Sequence, residues 1–250
     1  MVKISIVIAT YNAGDVLERC LKSIIPELTE ETELLIIDGG SRDNTMQTVQ
    51  KYNKFISYSI SEQDNGIYDA WNKGIMVSRG EWVMFLGADD QLKRNSLKEL
   101  IHLMDNINPN VNFISSKAEY IDKDGNIISE IGSAYDKNIF QYQMNISHVG
   151  ALHHKTLFDQ SLFDTKYKIC SDYDFLLERS DSIVSEFVNN ALVVMQTGGV
   201  SFSCKAIAES FCIRQNKSKI GILSNVRIYI TQLLGMTYCK LKMKFCYASK

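Results

Sequence analysis

The amino-acid sequence predicts an α/β fold in which a mostly parallel sheet is flanked by helices. Three apolar runs, at residues 4–9, 34–37 and 82–86, have the length and composition of buried strands. Between these runs, apolar residues recur at helical spacing. This alternation of strands and helices favours parallel strands joined by right-handed crossovers.

The first half of the chain contains a regular series of elements. Helical spacing is found at residues 16–24 after the first strand and at residues 46–52 after the second. A further strand is predicted at 56–60, and a helix at 67–75 leads into the third apolar run. Asn95 is a typical N-cap residue for the helix that follows that run.

The pattern of elements changes after Pro109. Lys123-Asp124-Gly125 lies between two short strand-like segments and predicts a β-hairpin. The elements predicted after it are a strand near 149–153, a helix at 172–179, a strand at 186–195 and two helices at 204–215 and 220–246.

The chain offers no clear domain boundary, because it has only two prolines and no low-complexity linker. We therefore interpret residues 1–203 as one continuous domain with two halves, 1–110 and 111–203. Residues 204–250 are interpreted as a C-terminal extension of basic amphipathic helices.

Charge is distributed unevenly along the 250 residues. The net charge is −2, yet residues 210–250 hold eight of the 27 basic residues and none of the 29 acidic ones. A basic tail on an acidic body indicates an anionic partner. The acidic body and the lack of a DNA- or RNA-binding motif argue against nucleic acid.

The six cysteines form no C-x-x-C pair, which favours reduced, structural thiols and a cytoplasmic protein. A strand follows Met1 directly, so no signal peptide is expected. The most apolar later stretch, residues 220–238, contains Arg227 and Gln232 and is not expected to span a membrane.

Polar clusters follow each of the three apolar runs. They are Thr10-Tyr11-Asn12, then Asp38-Gly39-Gly40-Ser41-Arg42-Asp43, then Gly87-Ala88-Asp89-Asp90. Ligands of open parallel sheets bind beyond the carboxyl ends of the strands. Two adjacent carboxylates at a buried strand end are expensive to desolvate unless a cation accompanies them. The clusters therefore predict one pocket for a polar, phosphorylated, metal-bound ligand.

With a fourth segment, Glu62-Gln63-Asp64-Asn65-Gly66-Ile67-Tyr68-Asp69-Ala70-Trp71-Asn72-Lys73-Gly74, these motifs resemble the inverting family-2 glycosyltransferases of GT-A fold. The resemblance is strong over residues 3–91, moderate to about residue 200 and weak beyond. It implies a Rossmann-like GT-A domain. Residues 1–110 would bind the nucleotide sugar, and residues 111–203 would face the acceptor.

The resemblance also implies roles for individual residues. The nucleoside end of the donor would contact Thr10, Tyr11, Asn12 and Asp38, and the rest of the donor would contact Asp64, Asn65, Gly66, Asn72 and Lys73. Asp89 would touch the metal or the ribose, and Asp90 would help to hold the metal, Mn²⁺ or Mg²⁺. Gly87 stands where the first Asp of the D-x-D motif is usual, so fewer carboxylates are available to the cation.

The general base is expected in the second half of the chain. Ser171-Asp172-Tyr173-Asp174 resembles the family's acidic motif, with Ser171 where Glu is common, and Asp172 matches the base. A helix N-terminus would lower the pKa of Asp172. Two alternatives stay open: Asp172 as an N-cap only, and Asp174 as the base.

Four further residues are weaker candidates for contact with diphosphate or acceptor. They are the two histidines of the strand near 149–153 and the glycine pair after residue 197, namely His153, His154, Gly198 and Gly199. At least one of the two histidines is expected to be structural. A glycine pair allows the backbone to approach a ligand closely.

The sequence therefore predicts an inverting hexosyl- or N-acetylhexosaminyltransferase. It would use a nucleoside-diphosphate sugar, with UDP expected from the family, and a glycan or polyprenyl-diphosphate-linked acceptor. Cell-surface polysaccharide or O-antigen synthesis is the setting that the resemblance implies. The alternative is a non-catalytic donor-binding or scaffold subunit, which Gly87 and Ser171 favour.

Two other enzyme classes lack their signatures in this sequence. The first strand is not followed by G-x-G-x-x-G, and G-x-x-x-x-G-K-[ST] is absent. In the tail, Leu223, Val226, Ile230, Leu233 and Leu234 predict an amphipathic surface. That surface would rest on the inner face of the plasma membrane, pack on the domain or form a homodimer.

Overall fold

We describe a computed structural model that covers the backbone of residues 1–248 and the side chains of residues 1–239. The strands are β1 Ile4–Thr10, β2 Thr32–Asp38, β3 Tyr58–Ser61, β4 Trp82–Gly87, β5 Gln91–Leu92, β6 Phe113–Ile121, β7 Ile127–Ile131, β8 Leu152–His154 and β9 Ser185–Gln196. The helices are α1 Gly14–Ile24, α2 Thr45–Lys51, α3 Ile67–Val77, α4 Ser96–Met104, α5 Lys137–Phe140, α6 Ser171–Glu178, α7 Cys204–Lys217 and α8 Ile222–Ala248.

Within the described residues the strands form one sheet, in the order β3-β2-β1-β4-β8-β6-β9-β5, and β7 pairs with β6. The first four strands are parallel, as predicted. The second half of the sheet is mixed: β8 is antiparallel to both neighbours, whereas β6 and β9 are parallel. The predicted α/β fold is confirmed, with antiparallel pairing added by the second half.

The two faces of the sheet carry separate apolar layers. Ile4, Ile6 and Ile8 point to the face covered by α1 and α4, while Val7 points to the face covered by α3. This alternation follows from the two-residue period of a strand. Because both faces are buried, β1 is apolar at nearly every position.

Helix α3 approaches β1 closely at Gly74. A Cβ atom on Gly74 would lie 2.3 Å from Cγ1 of Val7, a buried residue of the central strand. The absence of a side chain therefore sets the distance between α3 and the sheet. Since the N-terminal end of α3 lies at the carboxyl edge of the sheet, this contact also positions that end.

The C-terminal helices pack on the domain through polar contacts. Lys217 of α7 lies 2.8 Å from Asp174 of α6. The guanidinium of Arg214, which is 1% exposed, donates to Oδ1 of Asn225 of α8 at 2.8 Å.

No helix within the described residues is long and apolar enough to cross a membrane. The tail lysines Lys240, Lys242, Lys244 and Lys250 lie outside the described side chains.

We expect Gly74→Ala to lower the free energy of unfolding by about 1–3 kcal/mol, because the new methyl group overpacks the contact with Val7. Urea unfolding followed by circular dichroism measures the change. Gly235→Ala is the matched control, since it lies in α8 and its Cβ would meet no atom within 4 Å. That control should gain up to about 1 kcal/mol from helix propensity. Equal stability of the two variants would contradict the close contact.

Candidate functional site

The carboxyl ends of β1, β2 and β4 meet at one edge of the sheet. Thr10 pairs with Asp38 across β1 and β2, and Ala9 pairs with Gly87 across β1 and β4. A cavity of about 880 Å³ opens at this edge. It is lined by Ala9, Thr10, Tyr11, Asn12, Ala13, Val16, Gly39, Gly40, Arg42, Gln63, Asp64, Gly66, Ile67, Ala70, Gly87, Ala88, Asp89, Gly199 and Val200. All four sequence motifs thus contribute to one cavity of a size that suits a small-molecule ligand.

Asp38 lies behind the cavity wall and is 1% exposed. Its carboxylate accepts hydrogen bonds from the Thr10, Ser41 and Ser61 hydroxyls and from the N–H groups of Gly40 and Ser41. Burial raises the pKa of Asp38, but these hydrogen bonds outweigh burial and hold it below its ordinary value. The carboxylate therefore stays ionised and fixes the loop that lines the cavity. Direct contact with a nucleoside base stays a prediction.

Two hydrogen bonds join the segment after β1 to the segment after β2. Asn12 has a left-handed backbone, with φ of 47°. Its N–H donates to Oγ of Ser41 at 2.7 Å, and its Oδ1 accepts from the N–H of Arg42 at 3.0 Å. Tyr11 beside it is 66% exposed and lines the cavity. These hydrogen bonds thus hold the segment that presents the exposed ring of Tyr11 at the cavity.

Asp64 lies across the cavity wall from Gly39. A Cβ on Gly39 would lie 2.6 Å from Oδ2 of Asp64, so glycine makes room for this carboxylate. Oδ1 of Asp64 accepts from the N–H of Gly66, whose φ of +114° turns the chain into α3. Asn65 lies outside the cavity lining and donates to Asp69.

The structure does not bring Asn72 and Lys73 into the cavity. The amide of Asn72 exchanges hydrogen bonds with the backbone of Phe163, at 2.8 and 3.0 Å. Lys73 forms an ion pair with Glu62 at 2.8 Å. Only one face of α3, with Ile67 and Ala70, reaches the cavity. The sequence motif spans both faces of α3, so it does not distinguish the residues that line the cavity from those that pack elsewhere.

Asp89 and Asp90 occupy different environments. Asp89 is exposed and lines the cavity. Asp90 is 6% exposed, and its Oδ2 accepts from the N–H of Gly87 at 2.7 Å. Burial, together with the charge of Asp89, raises the pKa of Asp90 to about 7. Gly87 lies between them, since its Cβ would meet both carboxylates at 3.0–3.1 Å.

This pair of carboxylates fits a hard divalent cation. No three His, Cys, Asp or Glu side chains within the described residues are grouped to hold a metal. Mg²⁺ and similar ions are commonly held by one or two carboxylates together with the phosphates of the substrate. Burial is the main cause of the raised Asp90 pKa, and a cation beside Asp89 would offset the smaller contribution from the charge of Asp89. The donor set therefore suits a metal that arrives with a diphosphate.

Asp172 lies in the first turn of α6, close to the N-terminal end of α3. The N-cap of α6 is Cys170, so Asp172 is not its N-cap residue. Oδ1 of Asp172 lies 2.9 Å from the Tyr68 hydroxyl and accepts from the N–H of Tyr173 at 2.8 Å. Oδ2 lies 3.7 Å from Nδ1 of His148.

The predicted lowering of the Asp172 pKa by the helix N-terminus is wrong. Burial is the largest effect and raises the pKa to about 6, against the opposing hydrogen bonds from Tyr173 and Tyr68. A carboxylate with this pKa is ionised at neutral pH and accepts a proton more readily than an exposed Asp. Asp174, the alternative base, forms an ion pair with Lys217 at 2.8 Å.

The histidines of β8 do not reach the cavity. His153 is 0% exposed and is surrounded by rings that include Phe85, Phe113 and Phe158. Burial holds its pKa well below the ordinary value, so it is a neutral core residue. His154 pairs with Trp82, at the opposite end of β4, and its Nε2 lies 3.2 Å from Glu81. The antiparallel direction of β8 carries both residues away from the site.

The glycine pair after β9 lies near the cavity. Gly199 is part of the lining, together with Val200. Gly198 is not in the lining, and its φ of +93° is a left-handed conformation that favours glycine. This segment belongs to the second half of the chain, so both halves contribute to the cavity wall.

Two residues around Asp172 were not identified from the sequence. The Tyr68 hydroxyl lies 2.6 Å from the carbonyl oxygen of Ile169, as well as close to Asp172. Glu209 of α7 accepts three consecutive backbone N–H groups, those of residues 168–170, at 2.9–3.0 Å. Tyr68 lies within a recognised motif, which is the one signal that could have identified it. Glu209 is 37 residues beyond Asp172, and no local pattern connects the two.

Curated relatives of the chain include several named glycosyltransferases. A PGL/p-HBAD biosynthesis glycosyltransferase of Mycobacterium bovis is 29% identical over 181 residues, which cover 68% of this chain and 67% of that protein. The poly(ribitol-phosphate) β-N-acetylglucosaminyltransferase TarP of Staphylococcus aureus is 32% identical over 105 residues, covering 40% of this chain and 32% of TarP.

Solved structures with the same fold include S. aureus TarS residues 1–349, with a TM-score of 0.68 at 16% identity; the match covers 95% of this chain and 72% of that one. TarS has also been solved with UDP and with UDP-GlcNAc. Glucosyl-3-phosphoglycerate synthase of Mycobacterium tuberculosis, solved with Mn²⁺ and UDP, matches with a TM-score of 0.56 at 13% identity, over 94% of this chain and 79% of that one. These likenesses establish the GT-A fold.

The family assignment rests on the part of the chain that builds the cavity. The model of glycosyl transferase family 2 matches residues 5–165, which include all three strand-end clusters and the whole of α3. The named relatives are glycosyltransferases, in agreement with this match. The chain is therefore a glycosyltransferase and belongs to glycosyl transferase family 2.

Proposed function

We propose that the protein transfers a hexosyl or N-acetylhexosaminyl group, with inversion, from a UDP-sugar to a hydroxyl group of a glycan. The observation that carries the proposal is the position of Asp172. It contacts Tyr68 in the first turn of α3, and the same turn lines the cavity through Ile67 and Ala70. Asp172 is not itself in the cavity lining, but it lies beside the N-terminal end of α3, which is, and we propose that the acceptor hydroxyl binds there.

The donor is proposed to lie along the strand ends. Thr10, Tyr11 and Asn12 would face its nucleoside end, and Asp64 and Gly66 would face its phosphate or sugar end. Asp38 would act through the loop that it fixes. UDP is supported by TarS, solved with UDP and UDP-GlcNAc, and by the glucosyl-3-phosphoglycerate synthase solved with UDP.

The metal is proposed to be Mn²⁺ or Mg²⁺, held by Asp89 in the cavity with Asp90 behind it. The presence of Mn²⁺ in the solved structure of the glucosyl-3-phosphoglycerate synthase supports this proposal. When bound, the cation supplies Lewis-acid stabilisation of the charge on the leaving diphosphate. Since Gly87 contributes no carboxylate, much of the cation's coordination would come from the donor itself.

Asp172 is proposed to be the general base. It takes the proton of the acceptor hydroxyl while the hydroxyl oxygen forms a bond to the anomeric carbon, and the bond from that carbon to the diphosphate oxygen breaks. A single displacement of this kind inverts the anomeric configuration. Oδ1 of Asp172 accepts from the N–H of Tyr173 and lies 2.9 Å from the Tyr68 hydroxyl, so Oδ2 is the oxygen proposed to take the proton.

The acceptor is proposed to be a growing cell-surface glycan, attached to a polyprenyl diphosphate or another lipid. The names of two relatives, a PGL/p-HBAD biosynthesis enzyme and a poly(ribitol-phosphate) N-acetylglucosaminyltransferase, support a role in cell-envelope synthesis. Such an acceptor would place the enzyme in the cytoplasm, at the inner face of the plasma membrane.

We expect Asp172→Asn to reduce kcat by roughly 10²- to 10⁴-fold while donor binding stays within twofold, because the variant loses the base and keeps the shape of the site. The wild-type kcat should rise with pH through about 6, as the raised pKa of this carboxyl requires. Release of UDP in the presence of acceptor measures both effects. Glu178→Gln, at the exposed end of the same helix, is the control. Full activity of Asp172→Asn would exclude Asp172 as the base.

We expect Asp89→Asn to weaken the Mn²⁺-dependent part of UDP binding by roughly 10- to 100-fold, and Asp90→Asn to weaken it less, because Asp89 alone lines the cavity. Calorimetry with UDP, with and without Mn²⁺, measures the difference. Asp124→Asn, in the turn between β6 and β7, controls for the loss of one acidic group. An unchanged metal dependence in both variants would contradict the proposed metal site.

We expect Glu209→Gln to move the acidic limb of the kcat–pH profile to lower pH, because the negative charge of Glu209 is one cause of the raised Asp172 pKa. Glu209→Ala should lower kcat below that of Glu209→Gln, because three backbone N–H groups lose their acceptor. The donor KM should stay unchanged in both variants. A fall in kcat without any shift of the kcat–pH profile would show that Glu209 supports the fold and does not influence the pKa of Asp172.

A further inference from the structure

Helix α8 buries polar side chains where it packs against α7. On the face that packs against α7, Asn225 is 0% exposed and donates from Nδ2 to the carbonyl oxygen of Phe211. Arg214 of α7 reaches Asn225 at 2.8 Å and Gln232 at 3.3 Å. A helix at a protein surface ordinarily buries an apolar stripe and exposes its polar face. Here, polar side chains make much of the internal contact.

The outward face of α8 is apolar. Leu223 is 84% exposed, Ile230 50%, Leu234 65% and Tyr238 67%. These residues are separated by seven, four and four positions, so they lie on one side of the helix. A contiguous exposed stripe of this kind marks an interaction surface, whereas isolated exposed apolar residues do not.

The charge around this stripe indicates what kind of partner it meets. Residues 210–250 contain eight basic residues and no acidic residue; Arg214 is buried and Lys217 is paired with Asp174 and Glu178, whereas Lys219 and Arg227 are exposed. Arg227 is exposed and lies four positions after Leu223 and seven before Leu234, so its charge lies within the stripe. A second copy of this helix would bring like charges together. An anionic surface would instead match both the charge and the apolar stripe.

We propose that α8 is a membrane-docking helix that lies along a bilayer containing anionic lipids, with the apolar stripe inserted among the headgroups. The cavity is not part of this surface. Docking itself therefore does not depend on the proposed function. Only its biological purpose does, which is to hold the enzyme where a lipid-linked acceptor is presented. Docking requires no membrane-spanning segment, and no described helix has the length and apolarity of one.

The test is a flotation assay of the full chain with vesicles of phosphatidylcholine alone and of phosphatidylcholine mixed with phosphatidylglycerol. We expect the protein to float with the anionic vesicles only, and to be released by high salt because exposed charges are screened. Ile230→Ser combined with Leu234→Ser should weaken partitioning by at least about tenfold, through the loss of buried apolar area. Arg227→Glu should weaken it by about fivefold or more.

The matched control replaces two exposed isoleucines of β7 in the same way. Ile127 and Ile128 are 61% and 58% exposed, and their replacement by Ser should leave flotation unchanged. Circular dichroism shows whether each variant is folded, and UDP binding by calorimetry tests the proposed function separately from docking. Two results would overturn docking: no flotation with anionic vesicles, or a wild-type dimer in sedimentation that Ile230→Ser with Leu234→Ser dissociates.

Discussion

The buried carboxylate of Asp38 organises the functional edge of the sheet. It accepts five hydrogen bonds, from the end of β1, from the loop after β2 and from the end of β3. An ionised carboxylate offers about four lone-pair positions, so this set satisfies it fully. Three strand ends are thereby fixed to one buried negative charge. Loss of any one of these donors would weaken the solvation of a buried charge, so the set favours a single arrangement of the cavity wall.

Strand ends were the part of the site most accessible from sequence. Apolar runs mark buried parallel strands, and polar residues at their ends must converge because parallel strands end at one edge. Thr10 and Asp89 line the cavity for this reason, and Asp64 lines it from the loop between β3 and α3. Asn72 and Lys73 do not, since the side of α3 that meets the cavity depends on the contact of Gly74 with Val7. Sequence spacing alone does not determine that helix rotation.

The second half was harder to predict because its contacts join distant segments. His153 is buried among aromatic rings from β4, β6 and the segment after β8, and no pattern within β8 reveals those neighbours. The pKa of Asp172 depended in the same way on burial that only the assembled fold provides. Burial outweighs the hydrogen bond that the N–H of Tyr173, in the first turn of α6, donates to this carboxylate. Local motifs therefore predict where Asp172 lies, whereas burial in the assembled fold determines its pKa.

Helix α7 makes the proposed base depend on a part of the chain that carries none of the family motifs. Its Glu209 binds the backbone just before Asp172, and its Arg214 needs Asn225 of α8 to satisfy a buried guanidinium. A fragment cut at residue 203 would retain every motif residue and lose both partners. The smallest unit able to hold the base in place thus extends into α8. Recombination between family members that exchanged only the motif-bearing segment would separate Asp172 from the helices that support it.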